Sequence, residues 1–157
     1  MTKVVVHAER EDRYWYPDDG GAVWLAGYQL VDPATGRWLG RDAPELADRG
    51  LVVASIAGAA QHHGGALQSD ALAPGHRLAL RRDPENPHDH NAIAVETPGG
   101  EQAGWVPREV AAELAAELDA GRAWSALVLR ERRASPRDPR QGATMLLARG
   151  DGIDLRA

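Results

Sequence analysis

The sequence predicts a mainly β fold, with a small barrel of about six short strands and one clear α-helix. Two observations support this prediction. From residue 51 onward, short apolar runs alternate with turn residues such as Gly, Pro, Asn and Asp. One segment, residues 107–121, places its apolar residues at helical spacing. Short strands cut by turns, together with a single helix, are typical of small open barrels of the OB-like kind.

The first fifty residues are predicted to lie outside the barrel. Residues 1–20 are polar and charged and end in PDDGG, so we expect a flexible or loosely attached N-terminal segment. Apolar runs at 22–31 and 37–40 flank DPATG, whose Pro and Gly fit turn positions, and these runs predict a β-hairpin. The 21–50 region is therefore read as a hairpin extension followed by a connector with room for one helical turn.

The barrel itself is predicted to span residues 51–149, with residues 150–157 as a C-terminal tail. In the helix, Pro107 fits the first position, where its missing N–H costs nothing, and Gly121 fits the C-terminal cap. The predicted barrel strands are 51–58, 76–82, 92–97, 101–106, 123–132 and 143–149.

Composition limits the classes of function. The chain has 157 residues, of which 43% are hydrophobic, and this suits one domain with a real core. It contains no Cys, which excludes disulfides, thiolate metal sites and a Cys nucleophile. No apolar run reaches the ~18 residues of a membrane span, and the N-terminus lacks the apolar stretch of a signal peptide. We therefore expect a cytoplasmic protein without a membrane partner.

The charge distribution leaves two readings open. The net charge of −5 argues against a general polyanion binder. However, seven arginines lie between residues 122 and 149, against two carboxylates. Such a patch either follows a phosphate backbone or forms a solvated hairpin tip. The arginines of this predicted tip are Arg130, Arg132, Arg133, Arg137 and Arg140.

The segment RRDPENPHDHNAIAV, residues 81–95, is the most informative stretch of the chain. Pro84 and Pro87 fix the backbone at two points and push the preceding residues out of helical conformation. Those residues, Asp83 and Asn86, can accept hydrogen bonds from backbone N–H groups just downstream. The segment is therefore predicted to be a stiff turn that leads directly into a strand.

Polar side chains follow this turn, and the residues alone allow several uses for them. Four uses are open for the side chains of His88, Asp89 and His90. They are a structural turn, a catalytic site, a contact for another molecule, or a metal site together with His62 and His63. The chain has no HExxH helix, no Cys ligand and no GxSxG motif. We therefore predict no cofactor and no enzymatic activity.

The stretch RDPENPHDHNAIAV at 82–95, followed by GWVPRE at 104–109 and a helix, resembles the HIRAN domain family. The resemblance covers roughly residues 51–149. It implies an OB-like barrel and a non-catalytic, nucleic-acid-binding module. In eukaryotic members, that module recognises single-stranded DNA at its 3′-hydroxyl end. The implied setting is DNA repair or replication-fork processing.

The resemblance also implies a role for individual residues. Asp89 would accept the terminal hydroxyl, with Asn86 beside it. His88 stands where the DNA-binding members have a Tyr, and Gln61 and His62 stand where they have two Tyr after the first strand. These three side chains would contact the terminal bases.

Further contacts are implied outside the turn. Trp105 lies near a position that touches the strand in the family, although core packing is an equal alternative for an indole. Arg108 matches a basic phosphate contact. Additional phosphate contacts would come from Arg130, Arg132 and Arg133.

Two other functions stay open from sequence. The first is a protein-interaction or scaffold module that keeps the barrel but has lost the DNA pocket. The hairpin at 22–40 would then offer an exposed edge or an oligomer contact to a protein partner. The second, less favoured, is a metal-dependent hydrolase that uses the histidines.

Overall fold

The computed structural model describes residues 3–16 and 21–156. Within these ranges the chain forms eleven strands and four α-helices. The strands are β1 Lys3–Arg10, β2 Arg13–Trp15, β3 Val23–Val31, β4 Trp38–Leu39, β5 Leu51–Ser55, β6 Arg77–Arg82, β7 Ile93–Glu96, β8 Gln102–Trp105, β9 Trp124–Arg133, β10 Arg140–Arg149 and β11 Gly152–Arg156. The helices are α1 Pro44–Asp48, α2 Ala59–His62, α3 Gly64–Leu67 and α4 Arg108–Asp119, with a 3-10 helix at Asp70–Leu72.

The strands form one continuous sheet that does not close on itself. Its main path runs β11-β1-β3-β9-β6-β7-β8, and β10 joins β9 to β5. β2 and β4 both pair with β3. The β1–β11 pair is parallel and the other named pairs are antiparallel. The predicted mainly β fold is confirmed, whereas the barrel of about six strands is part of a larger, open sheet.

The elements predicted within the barrel are all present. β5 to β10 correspond to the six predicted strands, and α4 corresponds to the predicted helix. Pro107 lies one residue earlier than expected, at the N-cap. The sequence did not predict the short helices between residues 59 and 72, because four-residue helices are too short to show helical periodicity.

The N-terminal segment differs most from its prediction. Residues 3–10, expected to be flexible, form a strand with Val6 and Ala8 buried. The predicted C-terminal tail likewise forms β11, which pairs with β1. Each strand supplies the hydrogen-bond partner that the other lacks, so neither is recognisable from its own sequence alone. Parts of both predictions, residues 1–2, 17–20 and 157, lie outside the described residues.

The predicted hairpin is confirmed, but it offers no exposed edge along β3. Trp24 pairs with Tyr14 on one side and with Arg133 on the other. Leu30 similarly pairs with Ala8 and with Leu39. Because its neighbours flank β3 on both sides, the backbone of this strand is not available to a partner chain.

The N-terminal extension, which comprises β1 to β4 and α1, gives the central strands a second buried face. One face of β5, β9 and β10 packs toward α4 and β7, and its buried residues include Ala54, Val128, Met145 and Leu147. The opposite face packs against the extension. The buried residues of this second layer include Leu129 and Leu146 from the central strands and Val6, Leu30 and Leu46 from the extension. Since neighbouring residues of a strand point to opposite faces, burial on both faces explains the unbroken apolar runs of β9 and β10.

Candidate nucleic-acid interface

The 83–91 turn is organised mainly by the side chain of Asn86. Its Oδ1 accepts hydrogen bonds from the backbone N–H groups of His88, at 2.9 Å, and Asp89, at 3.2 Å. Its Nδ2 lies 3.4 Å from an Asp83 carboxylate oxygen. Asn86 therefore shapes the turn from within, and its side-chain oxygen is already engaged by the protein.

Asp89 is partly buried at the end of this turn. One of its carboxylate oxygens accepts a hydrogen bond from the Asn91 N–H at 2.9 Å. The other lies 3.7 Å from the Nε of Arg108, across an ion pair in which the Asp89 side chain is 21% exposed. A carboxylate has about four acceptor positions. The two contacts therefore leave Asp89 able to accept a further O–H.

Arg108 reaches the turn from the first residue of α4. Its Nη2 donates a hydrogen bond to the His88 carbonyl oxygen at 2.8 Å, and its side chain is 72% exposed. Exposed ion pairs contribute little to stability, about 0 to 1 kcal/mol. The Arg108 guanidinium can therefore leave Asp89 for a phosphate at small cost.

Arg82, the first residue of the family motif, anchors the base of the turn. Its Nη1 donates to the Ala92 carbonyl oxygen and its Nε to Asp119, both at 2.9 Å. The hydrogen bond to Asp119 raises the pKa of Arg82 above its usual value. The turn is thus tied to the C-terminal end of α4, and Arg82 acts inside the fold.

His62 and Trp105 lie together beside Gly58. A methyl group on Gly58 would lie 3.5 Å from His62 Cδ2 and 3.6 Å from Trp105 Cδ1. His62 is exposed, whereas Trp105 is half-buried and its backbone pairs with Ala57. An exposed imidazole beside a partly exposed indole can stack on a base. Trp105 is therefore packed on one side and leaves part of its indole open to solvent.

Gly104 sets the position of Trp105. Its φ is +156°, and a side chain there would meet the Ala57 carbonyl oxygen at 2.5 Å and Ile56 Cγ2 at 2.6 Å. The Trp105 N–H donates to the same carbonyl at 2.9 Å. Only Gly lets the two backbones approach so closely.

The arginines after residue 129 are used differently from the sequence prediction. Arg130 is half-buried and donates from Nη1 to the Tyr28 carbonyl oxygen at 3.0 Å. Arg133 donates to Glu131 at 2.9 Å and to the Asp138 carbonyl oxygen at 2.8 Å. Arg132 is exposed beside Gly142, and Arg137 is exposed as well. The patch is therefore mostly part of the fold rather than a solvated hairpin tip.

Arg140 is buried, which corrects both readings of the predicted tip for this residue, as a contact for a phosphate backbone and as a solvated side chain. It is 8% exposed and bonds to Glu131, to the Leu67 carbonyl oxygen at 2.9 Å and to the Ser69 carbonyl oxygen at 2.7 Å. Burial tends to raise the pKa of Glu131, but hydrogen bonds from Arg133 and Arg140 outweigh it and hold that pKa below its ordinary value. Arg140 cannot reach a ligand in this state.

The structure brings the predicted site residues together in three groups. The first group lies at the 83–91 turn and consists of Asn86, His88 and Asp89, with Arg108 reaching it from α4. His62 and Trp105 flank Gly58. Gln61, Arg130 and Arg132 line a cavity against the N-terminal extension, whereas Arg133 is engaged by Glu131 and Asp138.

Three residues at this cavity were missed from the sequence, namely Arg13, Trp15 and Arg41. Arg13 and Trp15 belong to the run RYWY at residues 13–16, which mixes a basic residue with aromatic ones. That combination is typical of nucleic-acid contacts. It was a usable signal, but it lay in a segment expected to be flexible.

Two further observations concern the other classes of function. In the described ranges, 3–16 and 21–156, no three His, Asp or Glu side chains are grouped so that they could hold a metal ion. His62 and His63 lie with their ring centres 6.4 Å apart in a T-shaped arrangement. Over the same residues, none of the helices is sufficiently long and apolar to cross a membrane.

Comparison with known proteins decides the family. The family model described as the HIRAN domain matches residues 50–140, which is more than half of the chain. The chain belongs to the HIRAN domain family. The resemblance inferred from the 82–95 motif is confirmed. Membership in this family supports a nucleic-acid-binding module, and a binding domain rather than a catalytic one.

Among curated proteins, this HIRAN protein is similar to the helicase-like transcription factors of Mus musculus and Oryctolagus cuniculus. Each is 48% identical over 42 residues, which is 27% of this chain and 4% of the relative. This chain therefore corresponds to a small part of those proteins.

Among solved structures, the crystal structure of the HIRAN domain of human HLTF aligns with a TM-score of 0.46 and 25% identity, over 64% of this chain and 77% of that one. A protein from Lactobacillus plantarum aligns with a TM-score of 0.45 and 19% identity, over 61% and 91% of the two chains.

Proposed function

We propose that this HIRAN protein is a non-catalytic module that binds single-stranded DNA at its 3′-hydroxyl end. The setting that we propose is DNA repair or replication-fork processing, where free 3′ ends occur. The observation that carries the proposal is the partly exposed Asp89 carboxylate at the end of a stiff turn, with the exposed guanidinium of Arg108 beside it. His62, His88 and Trp105 would contact the terminal bases.

The chemistry of a fixed carboxylate favours a hydroxyl end over a phosphorylated one. A carboxylate accepts an O–H hydrogen bond, whereas it repels a phosphate. For two unit charges 4 Å apart, this repulsion is about 1 kcal/mol in water and about 4 kcal/mol near a protein surface. Arg108 offsets part of this repulsion, so we expect a preference of roughly fivefold for a 3′-hydroxyl over a 3′-phosphate.

Fluorescence anisotropy of labelled single strands, with 3′-hydroxyl and 3′-phosphate ends, tests the proposal at ~50 mM salt, where phosphate contacts are strong. Asp89→Ala should remove the end preference. Glu85→Gln is the matched control, because Glu85 is an exposed carboxylate of the same turn and should leave the preference intact. If Asp89→Ala keeps the wild-type preference, Asp89 does not hold the terminus.

A second candidate function, a protein-interaction module, rests on exposed aromatic side chains. Trp38 of the hairpin is 48% exposed and Tyr16 is 71% exposed. Aromatic residues are enriched where proteins bind each other. Size-exclusion mass and pull-down with Trp38→Ala as the negative control test this candidate. Salt-sensitive binding to oligonucleotides would instead favour the DNA-binding function.

A further inference from the structure

A cavity of about 420 Å³ lies between the N-terminal extension and the family domain. Four arginines line it. They are Arg13 from β2, Arg41 from the segment after β4, and Arg130 and Arg132 from β9. Two of these four, Arg13 and Arg41, precede the region that matches the family model. The cavity is therefore built jointly by the extension and the domain.

Within residues 3–16 and 21–156, no carboxylate pairs with the arginines of this cavity. Among these residues Glu131 is the one carboxylate on the wall, and it is already bonded to Arg133 and Arg140. In the described part of the chain, none of the four arginines forms an ion pair with a carboxylate. Burial, together with the positive charges of Arg41 and Arg13, lowers the pKa of Arg130. The described walls of the cavity therefore carry an excess of positive charge, which favours an anion.

The side chain of Arg13 carries a second, independent indication of a ligand. Its Nε is buried and has no hydrogen-bond partner among the described residues. Buried donors are nearly always satisfied, and an unsatisfied donor on a charged group is especially costly. An acceptor bound in the cavity would satisfy it.

We propose that this cavity binds a phosphate group. Guanidinium groups offer paired N–H donors that match phosphate oxygens, and arginines without carboxylate partners are free to use them. Trp15 also lines the cavity and is 50% exposed, so it offers a flat face for a base or sugar attached to the phosphate.

The same chemistry occurs in the backbone of a single strand and in a free phosphate or nucleotide. We favour the single strand, and this choice rests on the proposed function. The argument for it is position, since Gly58 and Gln61 line the cavity, and a methyl group on Gly58 would lie within 3.6 Å of both His62 and Trp105. A strand whose bases contact those two rings can place a backbone phosphate in the cavity.

The salt dependence of oligonucleotide binding tests this source. The double variant Arg13→Gln/Arg41→Gln is compared with Arg37→Gln/Arg122→Gln, which removes two exposed arginines that do not line the cavity. The slope of log K against log salt should fall by about 0.7 in the cavity variant, because the cavity holds one phosphate and each lost single-strand phosphate contact removes about 0.7. The control should change it little, and the 3′-hydroxyl preference should persist in both.

Thermal unfolding with inorganic phosphate separates this proposal from the proposed function. Phosphate should raise the melting temperature of the wild-type protein and not that of the cavity variant. Arg132→Gln replaces an exposed residue of the cavity wall and serves as a second variant, for which phosphate should likewise raise the melting temperature less than in the wild type. If no oligonucleotide binds but phosphate still raises the melting temperature of the wild type and not of the variant, the cavity binds phosphate and the proposed DNA-binding function is wrong. Equal salt slopes for cavity and control variants, together with equal responses to phosphate, would overturn the proposal.

Discussion

Replacing Arg140 by Met tests whether this arginine supports the fold or contacts a ligand. The substitution keeps a long, apolar stem but removes the guanidinium that bonds to Glu131 and to the carbonyl oxygens of Leu67 and Ser69. Glu131, itself 8% exposed, would retain only Arg133 as an ionic partner. The fold should therefore be weakened at the junction of β9, β10 and α3.

The size of the effect follows from the number of interactions lost. Breaking a buried ion pair by removing one partner costs about 3 to 5 kcal/mol, and each unsatisfied buried carbonyl adds about 1 kcal/mol. Arg133 offsets part of this cost, so we expect a loss of about 3 kcal/mol in the free energy of unfolding. For a chain of this size, that loss lowers the melting temperature by roughly 6 to 12 °C.

Urea and thermal unfolding followed by tryptophan fluorescence measure this loss, with Arg137→Met as the exposed control. The double variant Glu131→Leu/Arg140→Met should recover at least about 1 kcal/mol, because an apolar pair replaces a stranded charge. Single-strand affinity of the folded protein should not change. A stability loss below about 1 kcal/mol, accompanied by weaker oligonucleotide binding, would refute the structural role and restore Arg140 as a phosphate contact.

Two further predictions concern the backbone and the extension. Gly104→Ala should destabilise the protein by about 2 kcal/mol, because the new methyl group would collide with the Ala57 carbonyl oxygen. Thermal unfolding measures this loss of stability. The control Gly99→Ala should be near neutral, because the atom nearest to its new methyl group is 3.8 Å away. Val6→Asp should cost about 3 kcal/mol by placing an unpaired charge in the second core layer; an unchanged melting temperature would mean that β1 is not docked in solution.

The sequence was a good guide where the local pattern and the tertiary environment agree. The helix α4 buries one apolar stripe, so its helical periodicity was visible, and the strands β5 to β10 were visible as short apolar runs between turn residues. The stiff turn at 83–91 was equally visible, because the prolines and the Asx side chains act on their own neighbours. The joint position of Asp89 and Arg108 followed from the family motif.

The sequence was a poor guide where the partner of a residue lies far away along the chain. β1 is a strand because β3 and β11 lie beside it, and its own polar flanks suggested a flexible segment. Arg140 looked like a surface charge because its partners, Glu131 and the carbonyls of Leu67 and Ser69, come together only in the fold. The cavity arginines were missed for the same reason, since Arg13 and Arg130 are more than a hundred positions apart.

The divided side of β9 has a consequence for how molecules of this protein behave toward each other. β10 covers one side of β9, while the other is shared between β6, at 126–127, and β3, at 130–133. Without β3, the backbone at 130–133 would be unpaired on the side away from β10, next to the apolar face around Leu129. Unpaired backbone beside apolar surface invites pairing with another chain and aggregation. A chain that lacks the extension is therefore expected to associate with its own copies along this side of β9.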